Sequence, residues 1–363
     1  MIEYENLSKL NQPFFNSFNQ EFEKFLKKGW FILGENVQQF EINFAEYNQS
    51  NYFVGVANGL DALTISLKIF DFEIGSEVIV PSNTYIATIL AIINSGLKPI
   101  LVEPNINTYN IDPLLIQEAI TEKTVAILVV HLYGKCCEMD KILAIAKLHN
   151  LKTIEDCAQS HGAMYNNQKS GTFGDLGAFS FYPTKNLGAL GDAGGISTNS
   201  EMIYNKVKKI RNYGSEKKYY NELIGVNSRL DEIQAVFLNI KLKFLDEITS
   251  HKRNLAKLYF KYLKEDYIKP VIMENQFDVY HIFNIRHPKR DILKKYLLDN
   301  NIITEIHYPV TPSDQNAFKN TNYFNNLQFP ISKLIHDTTL SLPISYIHSE
   351  TDILKVIEIM NKF

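Results

Sequence analysis

From about residue 50 to 200 the chain alternates short, nearly unbroken apolar runs with segments of helical period, and no other feature limits its fold so sharply. The strand candidates are "EVIVPS" (77–82), "KPILVE" (98–103), "TVAILVVHLYG" (124–134), "LKTIEDCA" (151–158), "GAFSFYP" (177–183) and "GGISTN" (194–199). Helix-period segments such as "NGLDALTISLKIF" and "EMDKILAIAKLHN" lie between several of them. Strands that are apolar along their whole length are buried on both faces, and strands separated by helices are joined by crossovers. The pattern therefore predicts an α/β fold with a mostly parallel sheet covered by helices. In such sheets ligands sit beyond the carboxyl ends of the strands, so the loops there are where chemistry is expected.

Next comes "NSRLDEIQAVFLNIKLKFLDEI", read as one long helix. Ser228 and Asp231 stand at capping-box spacing, and Ile233, Val236, Phe237, Ile240, Phe244 and Leu245 recur at helical intervals. The pattern then changes. Helix "HKRNLAKLYFKYLKE", strand "YHIFNIRHP", helix "RDILKKYLLDN", strand "IITEIHYP" and closing helix "SETDILKVIEIMNKF" predict a smaller α+β unit. The expected division is a large domain over 1–245 and a small one over 246–363. A length of 363 residues suits two such units.

A net charge of −3 offers no basic face for nucleic acid. The start "MIEYENLSKL" lacks the pattern of a signal peptide, and the apolar run "YIATILAIINSGL" is too short and polar to span a bilayer. Cys136, Cys137 and Cys157 show no CxxC spacing. Idle thiols in a reducing cytoplasm, with no membrane or nucleic-acid partner, are expected.

Eight of the 17 glycines fall between residues 162 and 195, and the stretch "FSFYPTKNLGALGDAGGI" sets a single lysine, Lys185, before four of them. Glycine suits backbone that must approach a ligand closely. By itself Lys185 could be a solvated loop residue. Three other features bear on it. In "IEDCAQSHGA", Glu155, Asp156 and Gln159 sit at or just past a buried strand end, where a carboxylate is costly unless it meets a cation or caps a helix. In "GVANGLDALTISL", Asn58-Gly59 opens a helix whose first N–H groups can seat a phosphate, as many helix starts could. Ser180 could add a hydroxyl there, or be structural. An acid for a ring nitrogen, a helix terminus for a phosphate and a lysine are the set that pyridoxal 5′-phosphate (PLP) requires, the lysine joining its aldehyde as a Schiff base. Tyr85, just past a strand in "PSNTYIAT", is placed to stack on the ring. No GxGxxG follows a strand, no phosphate loop or GxSxG is present, and the histidines lack zinc-ligand spacing, so no metal is expected.

Over nearly its whole length the chain resembles the DegT/DnrJ/EryC1/StrS nucleotide-sugar aminotransferases, of the fold type I PLP class. The matching stretches include "GWFILGENVQQFE", "GVANGLDAL", "VPSNTYIAT", "VHLYG", "IEDCAQSHGA", "GDLGAFSFYPTKNLGALGDAGG", "RNYGS", "NSRLDEIQA" and "IHYPVTP". The resemblance implies a seven-stranded type of sheet. It makes Lys185 the Schiff-base lysine and proton shuttle, Asp156 the partner of the pyridine nitrogen and Gln159 a donor to the phenolic oxygen. The amides of Gly59 and Leu60, with Ser180, would hold the phosphate, and Tyr85 would stack on the ring. Asn227 would reach a phosphate in the neighbouring subunit of a homodimer with shared sites. Trp30, Tyr182, Tyr213, His307 and Tyr308 are candidates for the sugar-nucleotide pocket.

Because lysine, not histidine, stands at 185, transamination is implied, with pyridoxamine phosphate (PMP) as the intermediate cofactor form. The details look most like the subgroup that aminates C-3 of dTDP-3-keto-6-deoxyhexoses with L-glutamate, in amino-sugar biosynthesis for lipopolysaccharide or S-layer glycan. Amination at C-4 of a UDP- or GDP-4-keto sugar, or a regulatory protein that keeps PLP without turnover, are the alternatives. Relatives commonly read "HYPxPxHxQ" where this chain has "HYPVTPSDQ", with Thr311 among the departures.

Overall fold

The computed structural model describes residues 1–324 and 327–363. Seven strands form the central sheet: β1 (Tyr52–Val56), β2 (Glu77–Pro81), β3 (Lys98–Val102), β4 (Thr124–Val130), β5 (Lys152–Asp156), β6 (Leu176–Ser180) and β7 (Gly194–Thr198). Their spatial order is β1-β7-β6-β5-β4-β2-β3. Only β7 runs against its neighbours β1 and β6, and the remaining pairs are parallel. The mostly parallel α/β sheet expected from the apolar runs is present. All six strand candidates from 77 to 199 lie in it, each shorter than its run. The exception in kind is "HLYG", which turns into a 3-10 segment at Leu132–Gly134.

Helices cover both faces: α1 (Phe15–Lys28), α2 (Glu35–Asn48), α3 (Gly59–Lys68), α4 (Ile86–Asn94), α5 (Met139–Leu148), α6 (Glu201–Ile210) and α7 (Glu232–Leu242). Val54, Val80, Leu128 and Ile154 pack on one side with Leu63, Leu67, Ile89 and Ile92 of α3 and α4. Ile79, Ile127 and Val129 pack on the other with Ile142 of α5.

Two expectations for the following region need correction. The single helix over 227–248 is two, α7 and then α8 (Leu245–Tyr262). Ser228 caps nothing, because its hydroxyl is drawn to Asp61 (2.6 Å) and accepts from the Ala57 N–H (3.1 Å). Leu230 meanwhile packs so tightly under Gly55 that a Cβ there would lie 2.8 Å away. These tertiary contacts outweigh the local capping pattern and delay the helix to Glu232. The run "IITEIHYP" is likewise no strand: it makes only single-residue bridges, Ile302 to Ile2 and Glu305 to Ser341.

The carboxyl-terminal part holds strand β8 (Phe283–Arg286), helix α9 (Arg290–Asp299), strand β9 (Thr339–Leu342) antiparallel to β8, and helix α10 (Glu350–Asn361). Its own apolar cluster joins Leu255 and Tyr259 of α8, Phe283, Leu293, Leu340 and Ile357, with Ile2 from the other end of the chain. α8 starts in one core, at Leu245, and ends in the other.

Candidate active site

Strand register brings the candidate residues to one edge of the sheet. Asp156 ends β5 and pairs across to Val130 and Ala178. Ser180 ends β6 opposite Gly194, and Gly194 on its other side faces Val56, the last residue of β1. The start of α3, three residues beyond Val56, is thereby pressed against Ser180. A Cβ on Gly59 would come within 2.7 Å of the Ser180 Cβ, and one on Gly194 within 2.4 Å of the Asn58 carbonyl. Only glycine permits this approach, which aims the start of α3 and the Ser180 hydroxyl at the same space. The Asn58 side chain caps the Asp61 N–H at 2.8 Å. It leaves the N–H groups of Gly59 and Leu60 without intrahelical acceptors.

Asp156 is buried. Its carboxylate accepts from the Ala158 N–H (3.1 Å) and from the Thr88 hydroxyl (2.8 Å), which is also within 2.9 Å of the Thr84 hydroxyl. Burial still pushes its pKa upward against these hydrogen bonds and the Lys185 charge. Lys185 is half-buried in the turn after Phe181. Desolvation pulls it down to about 8, with Asp156 as the opposing influence. Gln159 accepts from the Tyr133 N–H at 2.7 Å and donates to the Tyr308 hydroxyl at 3.0 Å. Tyr308 in turn lies 5.1 Å, ring to ring, from Tyr85. The His307 ring is 2.9 Å from the Ser341 hydroxyl, and burial next to Lys185 lowers it to about 4, so it stays neutral.

Glu155, Asp156 and Gln159 divide their work. The fully buried Glu155 accepts from Gly171, Phe173 and Gly174 N–H groups, each at 2.8 Å. His131 Nε2 sits 2.9 Å from it, while His131 Nδ1 accepts from the Cys137 N–H. His131, Glu155 and Cys157 bring possible ligand atoms within 4.8 Å of one another, but the imidazole and carboxylate are already spent on these bonds. Glu155 braces the loop that follows, and Asp156 faces the site.

The structure thus gathers Lys185, Asp156, Gln159, Tyr85, Tyr308 and His307 around the ends of β5 and β6, with Gly59, Leu60 and Ser180 alongside. Trp30, Tyr182 and Tyr213 are large, exposed side chains, and Asn227 is exposed as well. Trp30 donates to the Ile32 carbonyl at 2.8 Å and Tyr213 lies under Arg229. Among the described residues, Trp30, Tyr213 and Asn227 make no hydrogen bond, ion pair or ring contact with Lys185 or Asp156. Sequence reasoning missed Thr88, whose signal was its position one helical turn after Tyr85. It also missed Glu232, which accepts from the N–H groups of Gly34, Asn36 and Val37 and so caps α2.

A buried, incompletely compensated carboxylate, a lysine held near neutrality and a glycine-lined helix start are the donor set that PLP fits. Fold and site define an aminotransferase of the fold type I PLP class. More particularly, the chain belongs to the DegT/DnrJ/EryC1/StrS aminotransferase family, which matches residues 15–361. It is 48% identical over 364 residues to a dTDP-3-amino-3,6-dideoxy-alpha-D-galactopyranose transaminase of Aneurinibacillus thermoaerophilus, covering 100% of this chain and 99% of the relative. It is 40% identical to a pleiotropic regulatory protein of Geobacillus stearothermophilus, over 88% of this chain and 87% of that one. The crystal structure of S. venezuelae DesV in complex with a ketimine intermediate superposes with a TM-score of 0.94 at 36% identity, covering 98% and 96% of the two chains.

Proposed function

We propose that this chain transfers the amino group of L-glutamate to C-3 of a dTDP-3-keto-6-deoxyhexose. The products are 2-oxoglutarate and a dTDP-3-amino-3,6-dideoxyhexose, made by a cytoplasmic homodimer with shared sites. The observation that carries this reading is the full-length likeness to a transaminase named for that product type, combined with a lysine whose pKa stands near 8 beside a buried aspartate.

Each residue has a task that follows from its surroundings. Lys185 has an appreciable free-amine fraction near neutral pH, so Nζ would be free to hold the cofactor's aldehyde carbon, with loss of water, and, once displaced, to take up and return the proton of the donor's α-carbon. Asp156, held by Thr88 and Ala158, keeps a proton on the ring nitrogen through its negative charge. When bound, PLP supplies the electron sink for charge that develops at the donor's α-carbon. Gln159, steadied between Tyr133 and Tyr308, offers its amide to the phenolic oxygen. The Gly59 and Leu60 N–H groups and the Ser180 hydroxyl would hold the phosphate. Tyr85 covers the ring face. His307 and Tyr308 face the sugar, joined by Tyr182. The exposed Trp30, Phe31, Tyr213 and Asn227 favour a second subunit that completes the pocket, since large apolar side chains left in the open mark such surfaces.

One relative is a regulatory protein, but the place of Lys185 beside the buried Asp156 and the full-length likeness to a transaminase favour turnover. Incubation with L-glutamate and dTDP-3-keto-6-deoxyglucose or its galacto epimer, followed by NMR of the product, tests the proposal. Nitrogen on C-3 with release of 2-oxoglutarate is expected; nitrogen on C-4, or no release, would overturn it.

A further inference from the structure

A cavity of about 220 Å³ opens beside the reactive lysine, lined in part by Tyr4, Glu5, Thr184, Lys252, His281 and His307. Thr184 precedes Lys185 in the chain, and His307 precedes the Tyr308 that Gln159 holds, so this cavity shares a wall with the site. Lys252, from α8, is buried there. Its ammonium donates to Asn186 Oδ1 at 2.7 Å and to the His281 carbonyl at 3.2 Å. An ammonium has three N–H donors, and the third finds no partner among the described residues. Lys252 makes no ion pair among them either.

The acids nearby are committed elsewhere. Glu5 accepts from Ser345 Oγ (2.5 Å) and the Asn6 N–H (3.2 Å), and Glu305 is exposed and leans toward Lys294 at 3.8 Å. Glu5 only partly offsets the desolvation that draws Lys252 down to about 8. The imidazole of His281 adds a buried Nδ1 without a partner. A buried cation with an unused donor, facing an open cavity, is an arrangement that an incoming anion stabilises. The volume lies below the ~300–1,000 Å³ of sites for drug-sized ligands, which suits an amino-acid side chain and not a nucleotide diphosphate.

We propose that this cavity receives the distal carboxylate of a dicarboxylic amino donor, with Lys252 as its counter-ion, so that Lys252 sets the preference for glutamate over monocarboxylic amino acids. This rests on the donor half of the function proposed above.

The test uses the cofactor-loaded protein and two unreactive probes, glutarate and butyrate, titrated calorimetrically into wild type, Lys252→Met and Lys252→Arg. Wild type should bind glutarate more tightly than butyrate. Lys252→Met should erase about ten- to a hundredfold of that preference, the worth of one charge-assisted hydrogen bond, and Lys252→Arg should restore part of it. A role confined to bracing Asn186 would weaken both probes alike, and that result overturns the proposal. So does a wild type without preference for glutarate. Bleaching of the wild-type cofactor band by L-glutamate, recorded in parallel, separates the two readings. Bleaching with an unchanged glutarate preference in Lys252→Met sinks the cavity assignment and leaves aminotransfer standing.

Discussion

Lys185 answers two opposed demands. It must be buried enough to lose its proton easily, yet near enough to Asp156 for the pair to share a site. Its folded pKa of about 8 lies below the ordinary 10.5. Cofactor capture by the apo-protein needs the free amine, so its rate should rise with pH and level off above about 8; stopped-flow absorbance across a pH series checks this. The sign for stability follows from proton counts. Between about pH 8 and 10.5 the unfolded chain binds more protons at this lysine than the folded one, so its contribution to stability rises with pH through that window. Below it, the folded protein carries a desolvated charge. Lys185→Met should therefore abolish 2-oxoglutarate release while the melting temperature of the apo-protein at pH 7 holds or rises. Asp156→Asn keeps one acceptor, for the Ala158 N–H, and sets an NH2 against Thr88, whose hydroxyl can turn to accept from it, so the charge is the main loss. Turnover should fall by about 10²–10³-fold, the scale for losing one preorganised electrostatic partner, with an unchanged thermal transition.

At the level of elements, the site depends on contacts that local pattern does not reveal. The apolar runs of β2 to β7 were legible because a strand buried on both faces carries no polar alternation to confuse it. β1, "YFVGV", went unread because its partner β7 lies more than a hundred residues away and its glycine, Gly55, weakens the strand signal. α2 starts where Glu232, 198 residues from Gly34, supplies the cap. Glu232→Ala would leave several buried N–H groups unpaired and should cost about 3 kcal/mol, read from the denaturant midpoint. Among the residues gathered at this sheet edge, Lys185, Asp156 and Gly59 drew notice in the sequence because each type has few uses at a strand end or helix start. Thr88, which speaks only through Asp156, was not. Gly59→Ala would set a methyl 2.7 Å from the Ser180 Cβ. The forced shift of roughly 1–3 kcal/mol predicts about 5- to 150-fold weaker cofactor binding, measured by fluorescence titration, because it widens the space between two phosphate donors.

For the molecule as a whole, one apolar cluster ends and another begins along α8, and the loop that carries Lys185 is tied to that helix. The Lys185 loop is tied to both sides: Lys241 of α7 donates to the Gly188 carbonyl at 2.6 Å, and Lys252 of α8 holds Asn186. The exposed Trp30, Phe31 and Ile32, together with Tyr213, form apolar surface that an isolated chain would leave in water. Sedimentation should give a dimer, and Asn227→Ala should weaken cofactor binding without dissociating it.

The central claim is that Lys185 holds a cofactor which takes nitrogen from glutamate. The visible absorption spectrum of the purified protein, before and after excess L-glutamate, tests it most directly. A visible cofactor band that bleaches with glutamate and returns on addition of the keto-sugar is the predicted result. The absence of any band after incubation with pyridoxal phosphate would contradict the account.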